Sequence, residues 1–169
     1  MVLREYEYVR TYCRRELAHG TTIGVASDHS GYYAKELFKK VASRLGLVVF
    51  DYGCYSPIAC DYPDFVSVNA AAIVSREVTI GLSFCHSGQG VNIAASRRSG
   101  IVSVIAYSIS ALSLALAHNN PNHIAIPSFL ADEQYLKDVV DQLFQSKFEG
   151  GRHQDRLMKV MELTSHGLQ

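Results

Sequence analysis

The chain has 169 residues, and its 16 Lys and Arg residues balance its 16 Asp and Glu residues, so the net charge is zero when histidine is neutral. A composition of 48% hydrophobic and 19% charged residues is that of a folded domain and excludes a disordered chain. The balanced charge gives no reason to expect nucleic acid or a membrane surface as a partner, and no apolar run reaches the roughly 18 residues of a membrane span.

Residues 1–20 are expected to form a separate N-terminal extension. Apolar residues recur there at helical spacing, which predicts an amphipathic helix packed on a partner subunit. A partly ordered tail that ends at Gly20 is the alternative. The segment carries charges throughout and lacks a signal-peptide core. The four cysteines show no CxxC spacing, so we expect a cytoplasmic protein with free thiols.

After the extension, short β-rich runs alternate with helical patterns. The predicted strands cover residues 21–26, 47–51, 78–84, 101–106 and 123–127. The predicted helices cover residues 33–45, 61–76, 91–95, about 108–118, 131–144 and 152–163. This alternation predicts a single α/β domain over residues 21–164, followed by a tail at 165–169. Its fold class is a Rossmann-like open parallel sheet of about five strands with helices on both faces.

The stretch after the third predicted strand carries the most reactive groups. Cys85 ends the strand, Ser87 follows in a short loop, and Gly88 and Gly90 precede a helical pattern. Ligands of parallel sheets bind at the carboxyl ends of the strands, where a helix N-terminus favours an anion and promotes the thiolate form of a cysteine. Two plainer interpretations stay open: Cys85 as a small buried apolar residue, and Ser87 as a turn residue.

Several motifs occur together in an order that is more specific than any one of them. They are Ser27–Gly31, Asp51–Ser56, Asp61–Asp64, Gly81–Gly90, His118–Asn119, and Glu149–His153 with Arg156. In these segments, over about residues 21–163, the chain resembles the sugar-phosphate isomerase family that contains ribose-5-phosphate isomerase type B and the galactose-6-phosphate isomerase subunits. The resemblance implies an aldose–ketose isomerase that acts on ribose 5-phosphate without a cofactor. It also implies a homodimer, or a tetramer, with an active site shared between subunits.

The same resemblance implies a role for each matching residue. The implied catalytic residues are Cys85 as the base, Ser87 as a proton relay, Asp28 at the sugar hydroxyls and His118, from the neighbouring subunit, for ring opening. The implied substrate-binding residues are His29, Tyr62, Gly88, Gly90, Asn119, Arg152 and Arg156, the two arginines lying on one helical face that suits phosphate. Without the resemblance, these residues read as loop caps, a helix-dipole partner, a half-buried tyrosine and a solvated basic face.

Two positions depart from the family pattern. His86 stands where the family usually has glycine. Three roles are open for it: a second acid–base group, a cation that lowers the pKa of the thiol, or a side chain that simply faces outward, which we favour. Phe129 stands where the family commonly has an arginine for the partner's phosphate. This second departure keeps open a hexose 6-phosphate substrate, galactose or allose 6-phosphate. A non-catalytic sugar-phosphate-binding module is the rival from another class.

The histidines do not suggest a metal site. None of them forms an HxxxH pair within one predicted element, and the isomerase chemistry needs no metal. We therefore predict no metal ligands.

Overall fold

The structure is a computed structural model that describes residues 20–166, with side chains described as far as residue 161. Its five strands are β1 (Thr22–Ser27), β2 (Val48–Asp51), β3 (Ile80–Cys85), β4 (Ser103–Ile105) and β5 (His123–Pro127). The helices within residues 20–166 are α1 (Tyr32–Arg44), α2 (Tyr62–Val74), α3 (Gln89–Ser96), α4 (Ile109–Asn119), α5 (Glu133–Gln145) and α6 (Arg152–His166). A short 3-10 turn, Ser128–Leu130, follows β5. The predicted N-terminal helix lies outside the described residues.

The strands form one sheet in the order β2-β1-β3-β5-β4, and every pair is parallel. The predicted α/β class and five-stranded parallel sheet are therefore confirmed. The chain leaves β1 toward β2 on one side and then crosses to β3 on the other. This reversal makes the carboxyl edge between β1 and β3 the switch point at which α/β proteins bind ligands.

Helices cover both faces of the sheet, as predicted. One core cluster joins the inward side chains of α1, α4 and α5 to alternate residues of β1, β3 and β5, including the contact between Phe38 and Phe84. A second, smaller cluster packs α2 and α3 on the opposite face and includes Cys85. Side chains alternate between the two faces because successive Cβ atoms in a strand point in opposite directions.

Local chemistry explains where several elements begin and end. Gly46 follows α1 with φ of +70°, a left-handed conformation that ends helices and favours glycine. Pro63 lies in the first turn of α2, where its missing N–H costs nothing. The side chain of Ser108 accepts a hydrogen bond from the Ala111 N–H at 3.2 Å and caps α4.

Most elements differ from their predicted bounds by one or two residues, and three of the differences are the following. β3 begins at Ile80 rather than residue 78, and α6 continues to His166 rather than ending near residue 163. β4 has three residues instead of six. Before it, the Val102 N–H donates to the Asn122 side chain at 2.8 Å, and the Val102 carbonyl accepts from the N–H groups of Asn122 and His123. None of the helices in the described part of the chain is long and apolar enough to cross a bilayer.

A buried ion pair attaches α1 to the edge strand β2. Lys35 is fully buried, and its Nζ atom donates to the two carboxylate oxygens of Asp51 at 2.6 and 2.7 Å. Lys39 donates to the same carboxylate at 2.6 Å. Burial by itself raises the pKa of Asp51, but hydrogen bonds from Lys35, Lys39 and the Gly53 N–H outweigh burial and hold this pKa below its usual value.

A polar network runs beneath the middle of the sheet. His123 is fully buried, with Nε2 2.8 Å from the Ser83 hydroxyl and Nδ1 2.7 Å from the Ser103 hydroxyl. Asn69 donates to the same Ser83 hydroxyl at 3.2 Å. Burial lowers the pKa of His123 to about 3, since the charged imidazolium would lose its hydration.

Candidate active site

The loops after β1 and β3 are hydrogen-bonded to each other at the switch point. The Oδ1 atom of the buried Asp28 accepts from the Ser30 hydroxyl at 2.6 Å and from the Gly31 N–H at 2.8 Å. The Ser30 hydroxyl in turn accepts from the His86 N–H at 2.8 Å. A Cβ atom at Gly31 would lie 2.2 Å from the Phe84 carbonyl oxygen, so glycine permits this close approach. Asp28 and the loop after Cys85 are therefore held together.

Cys85 is the last residue of the central strand β3, where it pairs with Pro127 of β5. The residue is 5% exposed and belongs to the smaller core cluster, with Val66 and Val91. Its position at a strand end beside a helix N-terminus suits a reactive thiol, and its burial limits the access of water.

The glycine loop after Cys85 leads directly into α3. Gly88 precedes this helix with φ of +75°, and the Ser87 hydroxyl accepts from the Gln89 N–H at 3.3 Å. A Cβ atom at Gly88 would lie 3.1 Å from the Ile105 side chain. The loop thus presents the amino end of a helix, which attracts negative charge, to the same edge of the sheet as Cys85.

Two further predicted residues border this loop. Tyr62 begins α2, and its ring packs so closely on Gly90 that an added Cβ would lie 2.8 Å from Cε1. His29 is exposed, with Nδ1 3.1 Å from the Cys60 carbonyl oxygen. Burial and a hydrogen bond with Cys54 raise the pKa of the Cys60 thiol, so Cys60 stays protonated at neutral pH.

The remaining predicted residues lie at the opposite edge of the sheet, the one formed by the amino ends of the strands. α4 runs back from the end of β4, so His118 and Asn119 lie just before the start of β5. β5 advances by four residues, or roughly 13 Å, between His123 at that edge and Pro127 beside Cys85. Within one protomer, the predicted ring-opening histidine is therefore distant from the predicted base.

Arg152 and Arg156 accompany His118 at this second edge. Both are exposed and lie one turn apart at the start of α6, which packs on α4. The Glu149 N–H donates to the Ala117 carbonyl at 3.0 Å and fixes the start of this segment to α4. The two guanidinium groups thus share a surface with the imidazole of His118, a combination that attracts anions.

Two residues that the sequence did not single out as site residues, Glu149 and His153, lie next to His118. The imidazoles of His118 and His153 stack with centroids 4.2 Å apart and planes 5° from parallel. The Glu149 carboxylate lies 3.7 Å from Nε2 of His118 and 3.5 Å from Nε2 of His153. Burial, followed by the charges of His118 and Arg152, lowers the pKa of His153. Among the described residues, these three form a group of possible metal ligands drawn from two helices and a loop.

The two residues that depart from the family pattern contact each other. His86 is exposed, so its side chain faces outward, and its ring centroid lies 5.9 Å from that of Phe129. Phe129 is 58% exposed in the turn after β5. Nearby, the Gln89 side chain donates to the Tyr107 hydroxyl at 3.0 Å. An aromatic surface thus borders the glycine loop where the family pattern led us to expect an arginine.

The chain is similar to known isomerases over most of its length. A ribose-5-phosphate isomerase B from Escherichia coli is 34% identical over 139 residues, covering 82% of this chain and 93% of the relative. The crystal structure of a ribose 5-phosphate isomerase from Thermotoga maritima matches with a TM-score of 0.82 at 35% identity, covering 85% of this chain and 99% of the other. The enzyme from Mycoplasma genitalium with bound ribulose-5-phosphate matches with a TM-score of 0.80 at 28% identity, covering 88% of this chain and 99% of the other.

The match to a family agrees with these relatives. The model of the Ribose/Galactose Isomerase family covers residues 23–160, which include both edges of the candidate site. The chain therefore belongs to the Ribose/Galactose Isomerase family.

Proposed function

We propose that the protein interconverts ribose 5-phosphate and ribulose 5-phosphate, with the Cys85 thiolate as the base. The observation that carries this proposal is the alignment of the chain with 93% of the ribose-5-phosphate isomerase B of Escherichia coli. The position of Cys85 at the switch point, next to the glycine loop and the Asp28 hydrogen bonds, supports the assignment of the base.

The reaction needs one proton to move between two carbons and another between two oxygens. The Cys85 thiolate takes the proton from C2 of the open-chain aldehyde, and the released electron pair forms the C1=C2 bond while O1 becomes negative. The Ser87 hydroxyl gives a proton to O1 and takes one from O2. The Cys85 thiol then returns its proton to C1, which leaves the ketose. No electrons leave the sugar, so no redox cofactor is required.

The loop between β3 and α3 would stabilise the intermediate. The negative charge on the enediolate forms beside the amino end of α3, and preorganised N–H groups at such a position stabilise developing oxyanions. Asp28 accepts hydrogen bonds from Ser30 and Gly31, and Ser30 connects it to this loop by accepting from the His86 N–H, so Asp28 is positioned to accept others from the sugar hydroxyls.

A second copy of the chain would complete the site. Because His118 lies at the opposite edge of its own sheet, we infer that the partner subunit's His118 opens the sugar ring beside Cys85. Arg152 and Arg156 of the partner subunit share the surface of that histidine and would bind the phosphate of the same substrate. Activity should accordingly be lost under conditions that dissociate the protein into monomers, as followed by light scattering. A fully active monomer would contradict the shared site.

A hexose 6-phosphate is the second candidate substrate. The family includes galactose isomerases by description, and Phe129 leaves this chain without the arginine expected at that position. Assays of ribose 5-phosphate, allose 6-phosphate and galactose 6-phosphate side by side distinguish the two candidates. The proposal predicts the highest kcat/KM for ribose 5-phosphate.

The role of the base is tested with Cys85→Ala. General acid–base groups contribute about 10²–10⁴-fold to rate, so kcat should fall by about that factor while substrate binding, measured by calorimetry, persists. Deuterium exchange from solvent into C2 should fall in parallel. Cys60→Ala is the matched control, because it removes a protonated thiol but keeps the backbone that contacts His29. Unchanged turnover in Cys85→Ala, or an equal loss in both variants, would rule out Cys85 as the base.

A further inference from the structure

The cluster of His118, Glu149 and His153 contains the ligand types of a transition-metal site. Two imidazole nitrogens and one carboxylate are a common protein ligand set for zinc, with water as the fourth ligand. We propose that these three residues bind a divalent transition metal such as Zn²⁺. The three ligand atoms already lie within 4.8 Å of one another.

The distances are close to those of a tetrahedral site. Metal–ligand bonds of about 2.1 Å place tetrahedral ligand atoms roughly 3.4 Å apart. Oε1 of Glu149 lies 3.7 Å from Nε2 of His118 and Oε2 lies 3.5 Å from Nε2 of His153, so both contacts are within a few tenths of an ångström of that spacing. A single metal-bound oxygen must lie near both nitrogens, which requires the carboxylate to turn. The stacked imidazoles must also turn toward each other, and the soft sp³–sp² torsion of histidine permits this rotation.

The Nε2 atom of His153 provides a separate indication. The His153 side chain is only 11% exposed, and its Nε2 atom is shielded from solvent. This atom nevertheless makes no hydrogen bond within the described residues. Buried polar atoms nearly always have a partner, and a bound metal ion is one such partner. The unpaired atom faces the carboxylate of Glu149, where a shared metal would satisfy both groups.

The neighbouring arginines limit the affinity of this site. The guanidinium groups of Arg152 and Arg156 lie on the same helix as His153, and their positive charges repel a cation. Glu149 offsets one of these charges. We therefore expect weaker binding than in a dedicated structural zinc site, so that the metal binds reversibly.

A bound metal would also affect catalysis. It would occupy Nε2 of His118, the group that we assign to ring opening, so metal binding should inhibit isomerisation. This consequence rests on the proposed function, whereas the binding itself does not. Inhibition should be relieved by a chelator and should be weaker when the assay begins with open-chain substrate.

The site is tested by titrating the full chain, purified without a histidine tag, with Zn²⁺ in a calorimeter and with Co²⁺ in a spectrophotometer. We expect one ion per chain and the visible absorption of Co²⁺ with nitrogen and oxygen ligands. Loss of even an outer-shell group costs about 10–100-fold in metal affinity, so His153→Ala and Glu149→Gln should each weaken binding at least tenfold. Asp155→Asn, an exposed carboxylate in the same turn of α6, is the matched control and should bind normally.

Each result has a definite meaning. Absence of binding, or equal binding by the wild-type protein and His153→Ala, would overturn the site. In the second case the metal would be binding to other histidines on the surface. Binding that depends on His153 in a protein without isomerase activity would support the site and contradict the proposed function. An active isomerase that binds neither ion would keep the proposed function and remove the metal site.

Discussion

Replacing Asp51 with asparagine tests the buried ion pair that joins α1 to β2. The substitution keeps the size of the side chain but removes the charge that faces the Lys35 ammonium group. Lys35 is fully buried, so no water can replace the lost partner. We expect a large loss of stability with little change in shape.

The structure sets the expected size of this loss. Removing one partner of a buried ion pair costs about 3–5 kcal/mol, because the other charge stays buried. Glu36 remains 3.3 Å from the Lys35 Nζ atom, and the rings of Tyr32 and Tyr55 have centroids 5.8 and 5.5 Å from it. These groups partly compensate the ammonium, so the loss should lie near the lower end, at about 3 kcal/mol.

Urea unfolding at neutral pH, followed by circular dichroism at one protein concentration, measures the effect. Lys39→Met is the matched control, because the Lys39 side chain is 34% exposed and its ion pair with Asp51 should contribute less than about 1 kcal/mol. Lys35→Met added to Asp51→Asn removes the buried charge altogether and should recover most of the stability. Equal effects of Asp51→Asn and Lys39→Met, or no recovery in the double variant, would refute the reasoning.

Two further predictions concern acid stability and the sugar site. The folded pKa of His123, about 3, lies below its ordinary value of 6.5, so the contribution of His123 to stability is present above pH 6.5 and declines as the pH falls toward 3, by at most about 1.4 kcal/mol per pH unit. His123→Gln should therefore flatten the measured dependence of the unfolding free energy on pH over that range. An unchanged slope would contradict the lowered pKa of His123. Gly90→Ala should displace the Tyr62 ring and raise the KM for ribose 5-phosphate several-fold. The preference of helices for alanine should keep the unfolding free energy within about 1 kcal/mol of wild type. An unchanged KM would show that the position of the Tyr62 ring does not affect substrate binding.

Elements with strong local signals were predicted well. β5 has the predicted bounds, 123–127, because a turn-forming Asn-Pro segment precedes it and its residues after His123 are apolar. α1 ends one residue earlier than predicted, before Gly46, whose positive φ ends the helix whatever packs around it. β4 was predicted too long at its start, where the hydrogen bonds of Val102 go to Asn122 and His123, about 20 residues away in sequence.

The candidate site was predictable only in part. The order of reactive residues after β3, from Cys85 to Gly90, could be recognised because they are neighbours in sequence and a strand–loop–helix places them at one edge. Glu149 and His153 were not recognised, although they lie in a quoted motif. Their contact with His118 depends on how α6 packs on α4, and no spacing within one element encodes that contact. The prediction of no metal ligands depended on spacing within single elements, and it stays a prediction.

By itself, the sequence determined the alternation of strands and helices, the parallel sheet and the chemical nature of the loop after Cys85. These follow from periodicity and turn chemistry, which act over a few residues. Only the tertiary structure decided that β5 lies between β3 and β4, that Lys35 is buried against Asp51, and that His118 stacks on His153 away from Cys85. Such pairings depend on side chains brought together from distant parts of the chain, and their energies arise from desolvation and charge at contacts that form only when the helices pack on the sheet.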